Sequence, residues 1–536
     1  MEINLVGTII LGLIFIVILV VGIFGSKRAS KSITHEAGLV ANRSLGYFLS
    51  TASLTATIAS GSFVHGSGER STFAGLEQAQ AALGVFLALL LGAFTFVPKM
   101  RSECYITIFD PFQLKYGKKV GAILILPHIF GDIIWSAALL ATFGQTTSVV
   151  LDMNASTAII MSSSISVTYT GIGGLFSVVY TDVIQLFFIV FGMATCVPFA
   201  LTHPSVNLSS IRDSSWRRVQ DSPILSTIDV CLLYIFGNIT WQCIYQRSLS
   251  SATVKTAKVS AIVSSVLCLA LGATPILLGL AGTAADWNMT SYSGSAKSLE
   301  QKSIMALALT YLTPLPTTIL GISALASSAM ALCDSCVLSS SSILTKNIYA
   351  DIFRPQATER ELMYVLRISN FIIGFLSTTI AIYASQPCSL FALSSDLMYI
   401  VLFPQLTLVL WLSASNAYGS LAGFAISLLL RLLCGEPLLN LPAYLKLPFY
   451  DELAQKQMFP MRTYCMLMGG LCVVVVSVVT NKLFVDQYLP RKYDFLECYK
   501  KRTIQRAHSD YDFDEEYKDM SKKLAMQDIN TLSMYL

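Results

Sequence analysis

Charge is the scarcest thing in this chain. Lys, Arg, Asp and Glu supply only 13% of its 536 residues, about half of what a soluble globular protein carries. A water-facing surface over most of its length is therefore excluded. Also missing are a phosphate-cradling Gly-Lys-Ser/Thr loop, a His/Cys group at metal-ligand spacing and a nucleophile constellation. Neither an ATP-driven pump nor an enzyme is expected, and no cofactor is implied. The twelve cysteines show no disulfide or zinc spacing. Most of them, such as Cys196, Cys268 and Cys333, fall in apolar stretches, where cysteine is a small hydrophobe. No basic residue precedes the first apolar run, Leu5 to Gly25, while Lys27, Arg28 and Lys31 follow it. A cleaved leader has the opposite order, so this run reads as an anchor with its N-terminus outside.

What is present is apolar. Hydrophobic residues make up 54% of the chain and mean hydropathy is +0.63, which predicts an all-α polytopic membrane protein. After the first span, further spans are expected near 47–66, 78–98, 120–147, 155–173, 176–201, 226–246, 258–283, 304–344, 363–385, 389–412, 416–434 and 464–485. The 304–344 segment is read as one span with a cytoplasmic extension, which gives about thirteen transmembrane helices. With the N-terminus outside, loops 26–46, 99–119, 247–258 and 346–367 are cytoplasmic and carry sixteen Lys and Arg. The longer external loops carry about nine, so the positive-inside rule supports this orientation. The net charge of +4 follows from that bias and needs no nucleic-acid partner. The sequons at Asn207 and Asn288 fall in loops placed outside, as glycosylation requires. From about residue 487 the chain carries both signs of charge and few apolar runs, as a cytoplasmic tail that meets trafficking proteins would.

The chain is organised around Thr51–Ser71, TASLTATIASGSFVHGSGERS. It begins as an apolar helix and meets Ala59-Ser60-Gly61-Ser62 at about its middle, where glycine and serine invite the backbone to open. An open backbone at mid-membrane survives only where protein or a watery cavity satisfies its polar groups, and it offers carbonyls to an ion or a substrate. A glycine hinge for close helix packing is the plainer alternative. Asp132, Asp182, Asp334 and Asp396 lie in or at the edges of spans, where an ionisable group is a functional hypothesis. Asp182, with Gln185, reads rather as a packing pair. Asp334 sits among hydroxyls in ALCDSCVLSSSSILT and reads as a residue near an ion. Trp135 and Trp241 fall well inside spans, away from the interfacial belt. Their rings suit either packing or cation–π attraction of an ammonium group.

The runs GGLFSVVYTDVIQLF, TWQCIYQRSLSSAT, LSSDLMYIVLFPQL and LTATIASGSFVHG resemble the sodium:solute symporter family. IFDPFQLKYGKK, GTAADWN and LLRLLCGEP are similar to its choline-transporting branch, and the likeness covers roughly residues 5 to 495. The resemblance implies a LeuT-type core of two inverted five-helix repeats within 47–412. It also implies an extra N-terminal helix at 1–26, two further helices at 413–486 and a cytoplasmic tail at 487–536. The first helix of each repeat would be unwound, at Thr51–Ser71 and at Gly237–Trp241. By the same resemblance Trp135 and Trp241 belong to an aromatic cage for choline or a related small organic cation. Ile58 and Val85 stand where the branch has tryptophan and tyrosine. The coupling ions implied are sodium and, as in relatives, chloride. Sodium would meet carbonyls of Ala56 and Ala59. The family's serine pair aligns with Ala331 and Leu332, which offer no oxygen, and leaves Ser328, Asp334 and Ser335 to serve. Implied too are a plasma-membrane location, in relatives a presynaptic one, and import of the substrate. Two other readings stay open at this stage: a symporter of the same fold for another small solute, and a regulatory paralogue that no longer transports.

Overall fold

The computed structural model describes residues 2–29, 35–59, 63–64, 66–68, 80–151, 154–209, 224–292, 304–384, 387–452, 455, 457–496 and 498–499. In chain order the main helices are α1 (Glu2–Ala29), α2 (Tyr47–Ile58), α3 (Ala81–Phe94), α4 (Phe96–Ser102), α5 (Lys118–Leu151), α6 (Ala155–Leu201), α7 (Ile224–Leu232) and α8 (Gln242–Leu249). They continue as α9 (Val254–Ala284), α10 (Ile304–Tyr311), α11 (Leu315–Ile343), α12 (Glu359–Tyr383), α13 (Pro387–Asp396), α14 (Phe403–Trp411), α15 (Ala417–Leu433) and α16 (Met461–Val485). No strand ladder is formed among the described residues. Several helices start where a polar side chain caps them. Asn154 accepts from Ser156 N, Thr253 from Thr256 N and Asn416 from Gly419 N, each satisfying an amide that the first turn leaves over.

The centre of the molecule is α11. Every residue from Gly321 to Ile343 is buried, and the helix packs on α5 and both ends of α6. Large apolar side chains such as Phe187, Phe191, Phe371, Phe375, Leu467 and Leu471 are instead exposed on the outside. In water such a surface would be costly, but it fits a hydrocarbon surround.

α6 runs for 47 residues, about 70 Å at ~1.5 Å per residue, more than twice a hydrocarbon core of about 30 Å. It therefore makes two crossings. The division is at Gly174, whose φ of 55° and ψ of −144° lie outside the helical region, at the boundary expected between 155–173 and 176–201. Only glycine adopts that backbone readily. A Cβ there would also stand 2.9 Å from the carbonyl oxygen of Gly38. Gly174→Ala is expected to cost about 1–3 kcal/mol for strain alone, read as a lower melting temperature of the purified protein. Gly171→Ala, whose Cβ would meet nothing nearer than 3.5 Å, is the control and should leave it unchanged.

By length and apolarity seven spans are found among the described residues, or nine with two bent pairs each taken as one, against about thirteen expected. The difference falls at four places: α6 is counted once, α2 and α15 are shorter than a full span, and α1, whose 28 residues are long enough to cross, enters the count only as Gly12–Lys27. The bent pairs are α3 with α4, at 44°, and the helix through α7 with α8, at 46°. The 304–344 segment is not one helix. Pro314 separates a short buried α10 from α11, and helical structure continues to Phe353. Arg247, counted as a cytoplasmic loop charge, is wholly buried, because α8 continues past the expected end of the span and brings it an acidic partner.

Both expected helix breaks are found. α2 ends at Ile58, and Ala59 leaves the helical region with ψ of 49°; Ser60, Gly61 and Ser62 lie outside the described residues. In the second case α7 passes through wide and then tight turns over Leu233–Thr240. Trp241 is extended, with φ of −82° and ψ of 120°, before α8 begins.

Candidate substrate and ion site

The two breaks meet at one cavity of about 120 Å³, several times the ~10–15 Å³ that one water needs. Ile58, Val85, Trp135 and Trp241 all line it. Trp135 comes from mid-α5, Ile58 from the end of α2, Val85 from α3 and Trp241 from the extended residue before α8. The two indoles meet edge to face with centroids 4.7 Å apart, a favoured arrangement for aromatic pairs. Ile58 and Val85 are apolar walls, each under a tenth exposed.

Three aromatic lining residues were not expected from the sequence: Phe63, Tyr234 and Phe391. Phe391, on α13, lies 5.4 Å from Trp135. Tyr234 has a signal in hindsight, since it lies one turn before the break and its carbonyl accepts the Asn238 side-chain amide at 2.6 Å. Phe391 has none, because only the packing of α13 on α5 brings it there. The cavity thus has five aromatic lining residues among those described, not the two tryptophans alone. Polar groups on the lining are few, among them Thr57, Asn238, Ser395 and Arg462, the mixture usual in a small-molecule pocket.

Arg462 belongs to a charged cluster at one end of the cavity. Its Nε donates to Asp396 Oδ1 at 2.5 Å, and Asp229 lies within 3.7 Å of its Nη1. Arg431 pairs with the other oxygen of Asp396 and with Glu436. Asp396 is therefore neutralised from two sides and binds α13 to α15 and α16.

The residues expected at the ion site are divided. Ala56 and Ala59 are buried at the end of α2. Ser335 faces the same turn, its Oγ 3.3 Å from Thr57 Oγ1. Ser328 donates to Leu325 O in its own helix. Asp334 points elsewhere, accepting hydrogen bonds from Ser166 and Tyr169 of α6. Consecutive residues of a helix lie about 100° apart, which explains why Asp334 and Ser335 face different neighbours. Leu332 lines the cavity and Ala331 is fully buried.

One turn from this point is a cation that the sequence had placed in a loop. Arg247 Nη2 donates to Ser335 Oγ at 2.5 Å and to Asp182 Oδ2 at 3.2 Å, and its Nε donates to Ser53 Oγ at 3.2 Å. Ser53 also donates to Asp182. Four helices, α2, α6, α8 and α11, are tied together here.

Asn207 and Asn288 are both exposed. Asn207 N donates to Ala284 O at 3.0 Å, so the loops carrying Asn207 and Asn288 lie side by side.

Residues 39–427 match the model of the sodium:solute symporter family. The chain is 38% identical to the high-affinity choline transporter 1 of Drosophila melanogaster, over 92% of this chain and 82% of that one. It is 36% identical to the human protein of the same name, over 96% and 91%. Among solved structures, a Na+-coupled sialic acid symporter in a substrate-bound outward-open state superposes with a TM-score of 0.73. That match covers 88% of this chain and 98% of the other at 15% identity, and so shows a shared fold.

Proposed function

The chain belongs to the sodium:solute symporter family, and from this premise we propose that it imports choline or a closely related small organic cation, coupled to sodium. It is a multi-pass membrane transporter and not an enzyme. The observation that carries the substrate class is the aromatic cavity at the meeting point of two helix breaks, lined by Trp135, Trp241, Phe391, Tyr234 and Phe63. Aromatic faces attract a quaternary ammonium, each worth about 0.5–2 kcal/mol according to its desolvation. The oxygen of Asn238, whose amide nitrogen is already engaged, supplies an acceptor for a substrate hydroxyl. High-affinity choline transporters among the relatives support the same reading.

The proposed orientation has the N-terminus and the loops bearing Asn207 and Asn288 outside, both asparagines glycosylated, and the tail in the cytoplasm. The core is taken as 47–412, with inverted repeats. Chloride as a second coupling ion, a presynaptic membrane and trafficking partners for the tail rest on the likeness to relatives alone.

The deciding experiment is uptake of radiolabelled choline by cells expressing the full chain, with and without external sodium. Saturable uptake above background is expected, and its absence at normal surface levels would favour the regulatory reading. Saturable uptake of another small solute, with choline excluded, would favour a changed substrate. Sodium dependence is expected to be shallow, because Ala331 and Leu332 supply no ligand beside Ala56 and Ala59. Replacing both by serine adds two hydroxyls and should steepen it, with no effect when sodium is replaced by a large organic cation. A steep dependence already present in the unmodified chain would assign the ligand role to Ser335 or Ser328 instead.

A further inference from the structure

We propose that Asp132 is the buried counter-charge of the ammonium site, a carboxylate standing behind the tryptophan walls that sets the preference for a cation over a neutral molecule of the same shape. This rests on the small-organic-cation reading given above. Asp132 lies on α5, one turn before Trp135, and is fully buried. Its Oδ2 accepts from Ser340 Oγ of α11 at 2.7 Å and lies 3.3 Å from Nδ1 of His128. Its Oδ1 is buried and accepts no well-aligned hydrogen bond among the described residues, with Ser339 and Cys336 standing beside the carboxyl.

The surroundings tie this carboxylate to both tryptophans. His128 Nε2 accepts the backbone N–H of Gln242 at 3.1 Å, the amide that follows Trp241 at the break. That places the ring proton on Nδ1, the nitrogen facing Asp132. The imidazole also meets the Trp241 ring edge on, with centroids 5.9 Å apart. On the other side Cys336 stands beside the Asp132 carboxyl and lines the cavity. The pair thus lies one side chain deep behind the cage.

Charge bookkeeping singles it out. Asp182 and Asp396 are each paired with arginine, and Asp334 faces Ser166 and Tyr169 of α6. No Lys or Arg forms an ion pair with Asp132 among the described residues, and His128 is the basic group beside it there. The titratable groups facing the pair from the neighbouring helices are Cys336 of α11, with Cys333 near it, and Cys243 of α8. An unpaired carboxylate inside a membrane protein is expensive, and in a dry surround its field reaches a nearby cation much less screened than in water. A substrate ammonium in the cage offsets that cost, whereas a neutral isostere does not. This separates Asp132 from the rings, which hold cation and isostere alike through contact area and add a cation preference of their own.

The test uses the full chain in membranes and two competitors of radiolabelled choline: unlabelled choline and dimethylbutanol, its neutral carbon isostere. Asp132→Asn is expected to weaken choline about tenfold and to leave the isostere within about twofold, at unchanged surface level; Asp132→Glu, which keeps the charge, should retain most of the choline affinity. Equal losses for both ligands, or no loss for either, would overturn the assignment and leave Asp132 a structural residue. Should Asp132→Asn fail to reach the membrane, His128→Asn and Ser340→Ala each remove one neighbour of the carboxylate. There a larger loss for choline than for the isostere supports the proposal and equal losses reject it. If the unmodified chain binds no choline at all, it is the substrate reading that fails, and no variant is needed to see it.

Discussion

Trp241→Ala is expected to bring choline uptake at low substrate concentration to background while the amount of protein at the cell surface stays within about twofold. The ring is one of the two indoles that meet edge to face over the cavity, centroids 4.7 Å apart, and it is also the residue at which the second broken helix is extended. Losing a desolvated cation–π wall costs about 2 kcal/mol, roughly thirtyfold in affinity. Its neighbour Trp135 would then keep Phe391 as an edge partner but lose the nearer of its two, so the effect is larger than that of one wall. Trp241→Phe keeps an aromatic face and should retain a measurable fraction of uptake. Uptake unaffected by the alanine change would show that the cavity is not where the substrate sits.

The second large effect is expected at the buried ion pair. Arg247→Met leaves Asp182 charged and fully buried, with Ser53 as its remaining donor, and Asp182→Asn leaves the guanidinium with only neutral acceptors around it. Removing one member of a buried pair costs about 3–5 kcal/mol. Either single change is therefore expected to abolish most of the folded protein, read as loss of mature surface protein and as a lower melting temperature after purification. The double variant Asp182→Asn with Arg247→Met removes both charges. It should recover most of the surface level, because uncompensated charge is what makes each single change severe. A double variant no better than the singles would mean that the tie among α2, α6, α8 and α11 depends on specific hydrogen bonds and not on charge balance.

Much of this protein is legible in the order of its residues. The scarcity of charge, the apolar runs and the loop positions of Lys and Arg follow from what a bilayer tolerates, so class and approximate spans can be read without coordinates. So can the break at Ala59, where small and polar residues interrupt an apolar helix, and a boundary between 173 and 176; the break at Gly237–Trp241 is implied by the family resemblance, and the structure places the division of α6 at Gly174. Trp135 and Trp241 stand out by their mid-span positions, Ile58 and Val85 by resemblance alone, and all four share one cavity. What remained hidden depends on how distant helices face one another. Phe391 and Arg462 reach the cavity through the docking of α13 and α16. Asp334 and Ser335 separate because adjacent residues on one helix point about 100° apart. Arg247 looks like an ordinary cytoplasmic charge until α8 carries it inward to Asp182. Sequence patterning records which face of a helix avoids water, whereas the partner of each buried charge is set by contacts between residues far apart in the chain. Only the tertiary structure decided that Asp182 meets arginine while Asp132, among the described residues, meets histidine.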